Sequence, residues 1–455
     1  MQSKYEQAVS QLYGLGHELA GTPSHKFELD KMRVLLGALG NPERSFRPVL
    51  IAGTNGKGST AATLESIVRA AGHRTGLYTS PHLVKVNERI RVGGVSIGDA
   101  EFAGVHEKVE AAAQRLMAGG ELPWHPSFFE IMTAMAFEHF RDAGVEIAVL
   151  EVGMGGRLDA TNVVEPLISI ITDVALDHQQ YLGNTVAEIA GEKAGIIHEG
   201  GVVVTLPQHP EANDVIGNAI LRRNARGVSA AAYVPPITPG AEAQNEAESA
   251  KSGRTGYRMT VMEQEIRVDS PLAGRHQLRN VALAIAASVE LNALGVEVKP
   301  GAIEKGVRET NWPGRFQVVN KGGLEVVFDV AHNPAGAWAL RSSLSRWFED
   351  RPLILVFGAM RDKAFGEMAG ILFPIAGTVL ATQAENPRSA TPAEIVQAGA
   401  RTGALIECLP TVVAAMERAR KLAEPGAVVV VTGSIFVVGE AMQTLGVRVA
   451  AGEPL

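Results

Sequence analysis

Short apolar runs rich in β-branched residues alternate with amphipathic segments along the chain. The amphipathic segments repeat apolar residues at helical spacing, whereas the apolar runs have the length and composition of buried strands. Alternation of this kind predicts an α/β fold, in which helices cover mainly parallel β-sheets. The runs cover residues 49–52, 146–150, 167–172, 202–205, 326–329, 353–357, 378–382 and 427–432.

Two interruptions break this alternation. Residues 229–256 are rich in Ala, Pro, Gly, Glu and Ser, which predicts a flexible surface excursion. The segment Asn311-Trp312-Pro313-Gly314-Arg315 places proline and glycine before a new apolar run. The sequence therefore predicts two domains, residues 1–313 and residues 315–455.

Composition narrows the class of protein. With 455 residues, 46% hydrophobic and 20% charged, the chain can bury an ample core. A net charge of -7 with scattered acids and bases gives no basic stripe for nucleic acid. Cys408 is the only cysteine, which excludes an intramolecular disulfide, and neither a signal peptide nor a long apolar span is present. We expect a cytoplasmic protein without nucleic-acid or membrane partners, most simply a monomer.

The first apolar run leads into a glycine-rich loop, and a helical pattern over residues 61–71 follows. Residues 53–59 read Gly-Thr-Asn-Gly-Lys-Gly-Ser. Glycines let backbone N–H groups face an anion, the helix N-terminus adds partial positive charge, and Lys57 adds a full charge. The commonest P-loop spacing is not met, because Ile51 stands where its first glycine belongs. We interpret the loop as a variant phosphate cradle; a surface turn with an incidental lysine is the alternative.

Polar side chains follow two further apolar runs. Glu151 closes one run, and Asp173 and the pair Asp177-His178 follow the next. Because open α/β folds bind ligands at the carboxyl ends of their strands, these groups are candidate ligands of Mg²⁺. The alternatives are a surface acid at Glu151 and a structural histidine at His178. Lys193, in the helical segment 185–197, reads by itself as a solvated lysine.

In the last third of the chain, polar side chains again follow apolar runs, but the signal is weaker. Asp329, His332 and Asn333 follow the run that ends at residue 328, and Asp329 could accept hydrogen bonds from a ribose. A helix N-cap at Asn333 explains the Asn-Pro pair but not the clustering of Asp, His and Asn. Thr432-Gly433-Ser434 is a similar signal, for which a simple turn is the alternative.

Taken together, these motifs resemble the folylpolyglutamate synthase and dihydrofolate synthase family, the folate branch of the Mur-type ATP-dependent amide ligases. The resemblance extends over most of the chain. Its motifs lie at residues 53–59, 79–83, 128–130, 150–162, 176–178, 192–196, 276–280, 312–316, 329–334 and 432–434.

The resemblance implies an N-terminal P-loop ATPase domain, a smaller C-terminal Rossmann-like α/β domain, and an active site in the cleft between them. Ser80, Glu151 and His178 would be ligands of Mg²⁺. Lys193 matches a position that carries a carbamate in the family, which would turn this cation into an anion near the metal. ATP would contact Gly53, Thr54, Asn55, Gly56, Lys57, Gly58, Ser59, Asn280, Arg315 and Asp329.

The resemblance also implies the reaction. The chain would add L-glutamate to dihydropteroate, to the γ-carboxyl of tetrahydrofolate polyglutamates, or to both, through an acyl phosphate; either activity alone is an alternative. Lys57, Lys193 and His332 would be catalytic, and Ser434 would lie near the incoming glutamate. Residues near the pterin would be Ser127, Phe129, Leu158, Asp159 and Ala160.

Two other functions are alternatives. A peptidoglycan-precursor Mur ligase is disfavoured because Gly58 after the loop lysine fits the folate branch better, and because only 52 residues precede Gly53. A regulatory protein that hydrolyses ATP slowly, without ligation, belongs to another class. Its turnover would not respond to an added carboxylate and amine, which separates the two.

Overall fold

The structure, a computed structural model, describes residues 2–16, 29–236 and 253–449. The described residues form two compact units. The first comprises the described part of Met1–Val234 with Met259–Ile266 and Asn280–Glu309, and the second comprises Arg267–Arg279 with the described parts of Pro235–Arg258 and Thr310–Leu455. The domain ranges 1–313 and 315–455 remain predictions. Within the predicted excursion 229–256, residues 237–252 lie outside the described residues.

The first unit is built on an eight-stranded sheet. Its strand order is β4-β3-β2-β5-β1-β6-β7-β8, with β3 and β4 antiparallel at one edge and the other strands parallel. Central strands such as β1 are buried almost throughout, which explains their continuous apolar runs. In chain order the strands are β1 Arg47–Ala52, β2 Thr75–Tyr78, β3 Ile90–Val92, β4 Val95–Ser96, β5 Ile147–Glu151, β6 Ile168–Ile171, β7 Val202–Thr205 and β8 Arg226–Ser229.

Helices surround this sheet. The helix after the glycine-rich loop, Lys57–Ala70, packs on β1, β2 and β5 and is buried along most of its length. Several helices begin at a Ser or Thr that forms a capping box, as Ser127 and Thr185 do. The helices are α1 Lys4–Gly14, α2 Leu29–Ala38, α3 Lys57–Ala70, α4 Asp99–Ala118, α5 Phe128–Asp142, α6 Gln179–Leu182, α7 Val186–Ala194, α8 Pro210–Arg222, α9 Arg275–Ala293 and α10 Pro300–Arg308.

The contact between α3 and α10 predicts a large stability effect at Gly306. A β-carbon there would lie 2.6 Å from the backbone nitrogen of Ile67, and the Ser66 hydroxyl donates to the Gly306 carbonyl at 2.7 Å. Since backbone cannot move aside cheaply, Gly306→Ala should destabilise the protein by ~2–3 kcal/mol. Thermal denaturation should show a lower Tm, whereas Gly301→Ala on the same helix, which meets nothing within 4 Å, should leave it nearly unchanged. Equal Tm values for both variants would contradict this packing.

The second unit contains a six-stranded sheet in the order β11-β12-β16-β13-β14-β15. β9 pairs with β10 in a separate two-stranded sheet, whose residues are divided between the two units. Only β11 runs antiparallel to its neighbour in the larger sheet. The strands are β9 Thr255–Val261, β10 Gln264–Ser270, β11 Gln317–Lys321, β12 Leu324–Phe328, β13 Leu353–Phe357, β14 Thr378–Ala381, β15 Ile406–Cys408 and β16 Val428–Thr432. The helices are α11 Pro334–Trp347, α12 Phe365–Leu372, α13 Pro392–Gly399, α14 Val412–Leu422 and α15 Ile435–Thr444.

The predicted α/β class is confirmed. All eight apolar runs identified in the sequence are strands, and each has at least one parallel neighbour in one of the two larger sheets. Among the described residues, no helix has both the length and the apolar character that a membrane crossing requires.

Candidate active site

The glycine-rich loop leaves the carboxyl end of β1 and turns into α3. β1 lies between β5 and β6, while β2, the next strand of the sheet along the chain, lies beyond β5. A change of direction of this kind opens a ligand crevice at the carboxyl ends of the strands. Gly56 has a φ of 90°, and a β-carbon there would lie 2.9 Å from Cγ of Asn280. Only glycine therefore suits this position. Asn280 lies against the loop, and its role in a nucleotide site stays a prediction.

Backbone hydrogen bonds hold the loop in place. The Thr54 and Asn55 N–H groups donate to the Asp173 carbonyl at 2.8 and 3.2 Å. The Thr54 hydroxyl donates to the Ala175 carbonyl at 3.0 Å, and the Ala175 N–H donates back to it at 3.1 Å. The loop is thus fixed to the segment after β6 and is organised for an anion in advance.

Two lysine amines meet at one carbonyl of the loop. Lys57 Nζ donates to the carbonyls of Gly53 and Thr54 at 3.1 and 3.3 Å. Lys193 Nζ donates to the same Gly53 carbonyl at 2.9 Å, and the residue is only 4% exposed. The interpretation of Lys193 as a solvated helical lysine is therefore wrong, because its amine lies against the glycine-rich loop.

Two of the three candidate metal ligands lie together. Glu151 ends β5 next to β1, is 4% exposed, and accepts a hydrogen bond from the Ser80 N–H at 3.1 Å. The alternative of a surface acid at Glu151 is therefore wrong. His178 precedes α6 with a φ of 50°, and its Nε2 lies 3.9 Å from Oδ2 of Asp177. In the part of the chain that the structure describes, no group of three or more His, Cys, Asp or Glu side chains is arranged to hold a metal.

The predicted pterin residues lie around the loop that follows β5. The Phe129 ring rests on Gly153, where a β-carbon would lie 2.5 Å from Cζ of the ring. Its centroid is 5.9 Å from that of Tyr78, at a 48° interplanar angle. Ser127 serves as the N-cap of α5, exchanging hydrogen bonds with Glu130. Phe129 is thus half-buried at the start of α5, with the Cζ end of its ring next to Gly153 of the loop.

Asp159 shapes this loop from within. Its carboxylate accepts hydrogen bonds from the N–H groups of Gly153, Met154 and Thr161 at 3.0 to 3.1 Å, and from the Thr161 hydroxyl. Burial raises the pKa of Asp159, whereas these hydrogen bonds oppose the shift. Leu158 beside it is half-buried, and Ala160 begins a short 3₁₀ turn. Asp159 therefore holds the positions of its two candidate neighbours.

A second polar cluster lies at the carboxyl edge of the sheet in the second unit. Asp329 follows β12 and accepts hydrogen bonds from the Phe316 and Ala331 N–H groups, both at 2.9 Å. Burial raises the pKa of Asp329, while the positive charges of His276 and Arg315 act in the opposite direction. Arg315, the other predicted nucleotide residue of this unit, therefore lies near Asp329.

The candidate glutamate residues lie beside this cluster. The Gly433 N–H donates to the Ala331 carbonyl at 3.1 Å, which joins the loop before Ser434 to the loop that holds His332. His332 Nδ1 lies 3.0 Å from the Val330 carbonyl. Asn333 caps α11, so the N-cap interpretation is confirmed, and Ser434 caps α15.

Sequence reasoning missed several residues that support the site. Thr172 donates to the Ala52 carbonyl, and a β-carbon at Gly53 would lie 2.9 Å from its Cβ. Tyr78 was missed beside Phe129. Most of these contacts involve backbone or a glycine, so residue type gives little signal for them. The Ser127 cap was readable, because Ser-x-x-Glu precedes an apolar helix.

Two family models match the chain. Residues 125–288 match the Mur ligase middle domain, and residues 314–435 match the Mur ligase, glutamate ligase domain. The matched ranges include strands β5 to β16, whereas the glycine-rich loop at residues 53–59 lies before the first of them.

Two relatives narrow the class further. The dihydrofolate synthase/folylpolyglutamate synthase of Bacillus subtilis is 36% identical over 374 residues, which is 81% of this chain and 84% of the relative. A probable bifunctional folylpolyglutamate synthase/dihydropteroate synthase of Haloferax volcanii is 36% identical over 459 residues, 97% of this chain but 50% of the relative. This chain spans only half of the Haloferax protein, whose second activity is not carried over.

Similar solved structures point to the same family as the sequence relatives. The structure of Mycobacterium tuberculosis folylpolyglutamate synthase complexed with ADP has a TM-score of 0.84 at 30% identity, covering 98% of this chain and 99% of that chain. Escherichia coli FolC in complex with DHPP and ADP has a TM-score of 0.81 at 29% identity, covering 97% and 98%. The chain belongs to the folylpolyglutamate synthase/dihydrofolate synthase family, and it is accordingly an ATP-dependent ligase.

Proposed function

We propose that this ligase adds L-glutamate to dihydropteroate, forming dihydrofolate, and to the γ-carboxyl of tetrahydrofolate polyglutamates. The observation that carries the proposal is the convergence of Lys57 and Lys193 on Gly53, with Glu151 at the end of the adjacent strand. The loop with the pterin candidates begins two residues after Glu151. A phosphate site and a pterin site on neighbouring strand ends would bring a γ-phosphate close to a substrate carboxylate.

The proposed reaction has two steps. The substrate carboxylate attacks the γ-phosphate of ATP, which gives an acyl phosphate and releases ADP. Lys57 and the loop N–H groups stabilise the charge that spreads over the transferred phosphoryl group. The amine of glutamate then attacks the acyl carbon, loses a proton, and displaces phosphate as the amide forms. No covalent enzyme nucleophile is needed.

The donor set fits Mg²⁺. Mg²⁺ takes few protein ligands, because it retains waters and binds nucleotide phosphates. The candidates suit such an ion: they are the hydroxyl of Ser80, the buried carboxylate of Glu151 and the imidazole of His178. Mg²⁺ held there would neutralise phosphate charge. Lys193 is buried beside Gly53, so a carbamate on its amine would place a negative charge next to the loop. Asn280, Arg315 and Asp329 are proposed for the nucleotide, and His332 and Ser434 for glutamate.

Phosphate release from Mg-ATP tests the proposal. The assay should be run with L-glutamate and either 7,8-dihydropteroate or tetrahydrofolate, omitting each component in turn. Turnover that requires pterin and glutamate supports the ligase, and the accepted pterins separate the bifunctional enzyme from either activity alone. Phosphate release indifferent to both substrates would overturn it. Gel filtration and cell fractionation would test the expected cytoplasmic monomer.

Removal of the Phe129 ring should weaken pterin binding selectively. If the ring stacks on the pterin, Phe129→Ala should raise the KM for dihydropteroate about tenfold, the equivalent of ~1.4 kcal/mol. The KM for ATP should change less than twofold. Steady-state kinetics with each substrate varied measures both, and equal effects on the two would count against stacking.

A second variant moves the ring without removing it. Gly153→Ala places a β-carbon 2.5 Å from Cζ of Phe129, so it should also raise the KM for dihydropteroate. Gly191→Ala on α7, which meets nothing within 4 Å, is the matched control and should leave both KM values unchanged.

A further inference from the structure

The loop of residues 153–162 and the end of α7 are joined along their backbones. The Arg157 N–H donates to the Glu192 carbonyl at 2.9 Å. A β-carbon at Gly156 would lie 2.8 Å from the Glu192 carbonyl oxygen, and one at Gly195 would lie 2.5 Å from Cα of Arg157. Two chain segments this close are held by backbone contact, so neither can shift alone.

The Asn162 side chain adds hydrogen bonds to this contact from the loop side. Its Nδ2 donates to the Arg157 carbonyl at 3.2 Å and to the Gly195 carbonyl at 3.1 Å. The carbonyls at a helix C-terminus lack partners within the helix, so a side-chain amide there fixes the helix end. Asn162 is 6% exposed. Its bond to Gly195 crosses from the loop to the turn after α7, and its bond to Arg157 braces the loop itself.

His198 fixes the orientation of the Asn162 amide. Since Nδ2 faces two carbonyls, Oδ1 faces His198 Nε2 at 3.0 Å, and that nitrogen must carry the proton. Burial and the nearby charge of Arg223 lower the pKa of His198, which favours the neutral ring. Asn162 thus has a single hydrogen-bonded arrangement.

We propose that Asn162 is a positioning residue for Lys193. Lys193 lies in the last turn of α7, two residues before Gly195 and five before His198. Its Nζ reaches the Gly53 carbonyl at 2.9 Å. Because Asn162 fixes the end of α7 to the loop of residues 153–162, it sets where the Lys193 amine meets the glycine-rich loop. The inference rests on the proposed role of Lys193 in catalysis.

The test is a double-mutant comparison with a binding readout. Affinity for the non-hydrolysable ATP analogue AMPPCP is measured by calorimetry in the wild type, Asn162→Ala, Lys193→Ala and the double variant. Asn162→Ala should weaken AMPPCP binding and lower kcat, each by about tenfold. If Asn162 acts through Lys193, the double variant should bind AMPPCP no more weakly than Lys193→Ala does. Additive losses, or unchanged affinity in Asn162→Ala, would overturn the proposal.

Further variants separate positioning from folding. Asn162→Asp keeps the shape and removes both donated bonds, so it should behave like Asn162→Ala; wild-type behaviour would overturn the proposal. His198→Ala leaves in place both bonds that Asn162 donates, so its loss of AMPPCP affinity should be smaller than that of Asn162→Ala. This loss should also vanish in the Lys193→Ala background. If Asn162→Ala does not fold, the comparison of His198→Ala with and without Lys193→Ala still decides the question. Full turnover in Lys193→Ala would instead refute the proposed function of Lys193, which the additivity test does not address.

Discussion

Lys57→Ala is expected to abolish ligation, lowering kcat by at least ~10³-fold while the protein stays folded. Lys57 is the first residue of α3, and its amine donates to the carbonyls of Gly53 and Thr54 within the loop. In the proposed reaction, a fixed positive charge at this place would stabilise the phosphoryl group in the transition state. The side chain is half-buried and its two bonds are local, so its loss should change the free energy of unfolding little.

Three measurements separate charge from geometry at this position. Lys57→Arg keeps the charge on a planar group, so it should retain partial turnover at most. Lys299→Ala, a lysine whose side chain is 79% exposed, should leave turnover unchanged. Thermal denaturation of each variant excludes unfolding as the cause. Near-normal turnover in Lys57→Ala would mean that the loop is not a phosphate cradle.

The parts of the fold that could be predicted are those with strong local signals. The central strands β1, β5, β13 and β16 are buried almost throughout, and their continuous apolar runs identified them. β2 is also buried but was missed, because it has only four residues and includes Thr75 and Gly76. The run predicted to begin at Phe316 is β11. The strands that were missed include the edge strands β4 and β8, which contain few buried residues. Exposure removes the apolar pattern on which strand prediction depends.

The candidate site also divides into residues that have a local sequence signal and residues that have none. The glycine loop was readable because its backbone angles require glycine, as at Gly56. The burial of Glu151 and Lys193 was not readable, because it arises where separate strands and helices meet. Asp159 was assigned to the pterin through the resemblance, and the structure adds hydrogen bonds within its own loop.

Lys193→Ala is the second variant expected to lose most of its activity, with kcat falling at least ~10²-fold. Its amine is buried against Gly53, so truncation leaves that carbonyl without one of its two lysine donors. Leaving a buried polar group with fewer partners costs free energy and loosens the loop. Gly191→Ala, on the same helix and free of close contacts, is the matched control and should retain full turnover.

Chemical rescue of Lys193→Ala distinguishes two roles for the missing side chain. If the functional form is a carbamate, the reaction lacks an anion, and short carboxylic acids such as acetate should restore part of kcat. If the functional form is the ammonium that donates to Gly53, short alkylamines should restore it instead, and acids should not. Intact-mass analysis can miss a labile adduct, which makes rescue the sharper measurement. Wild-type turnover without any additive would remove Lys193 from the mechanism altogether.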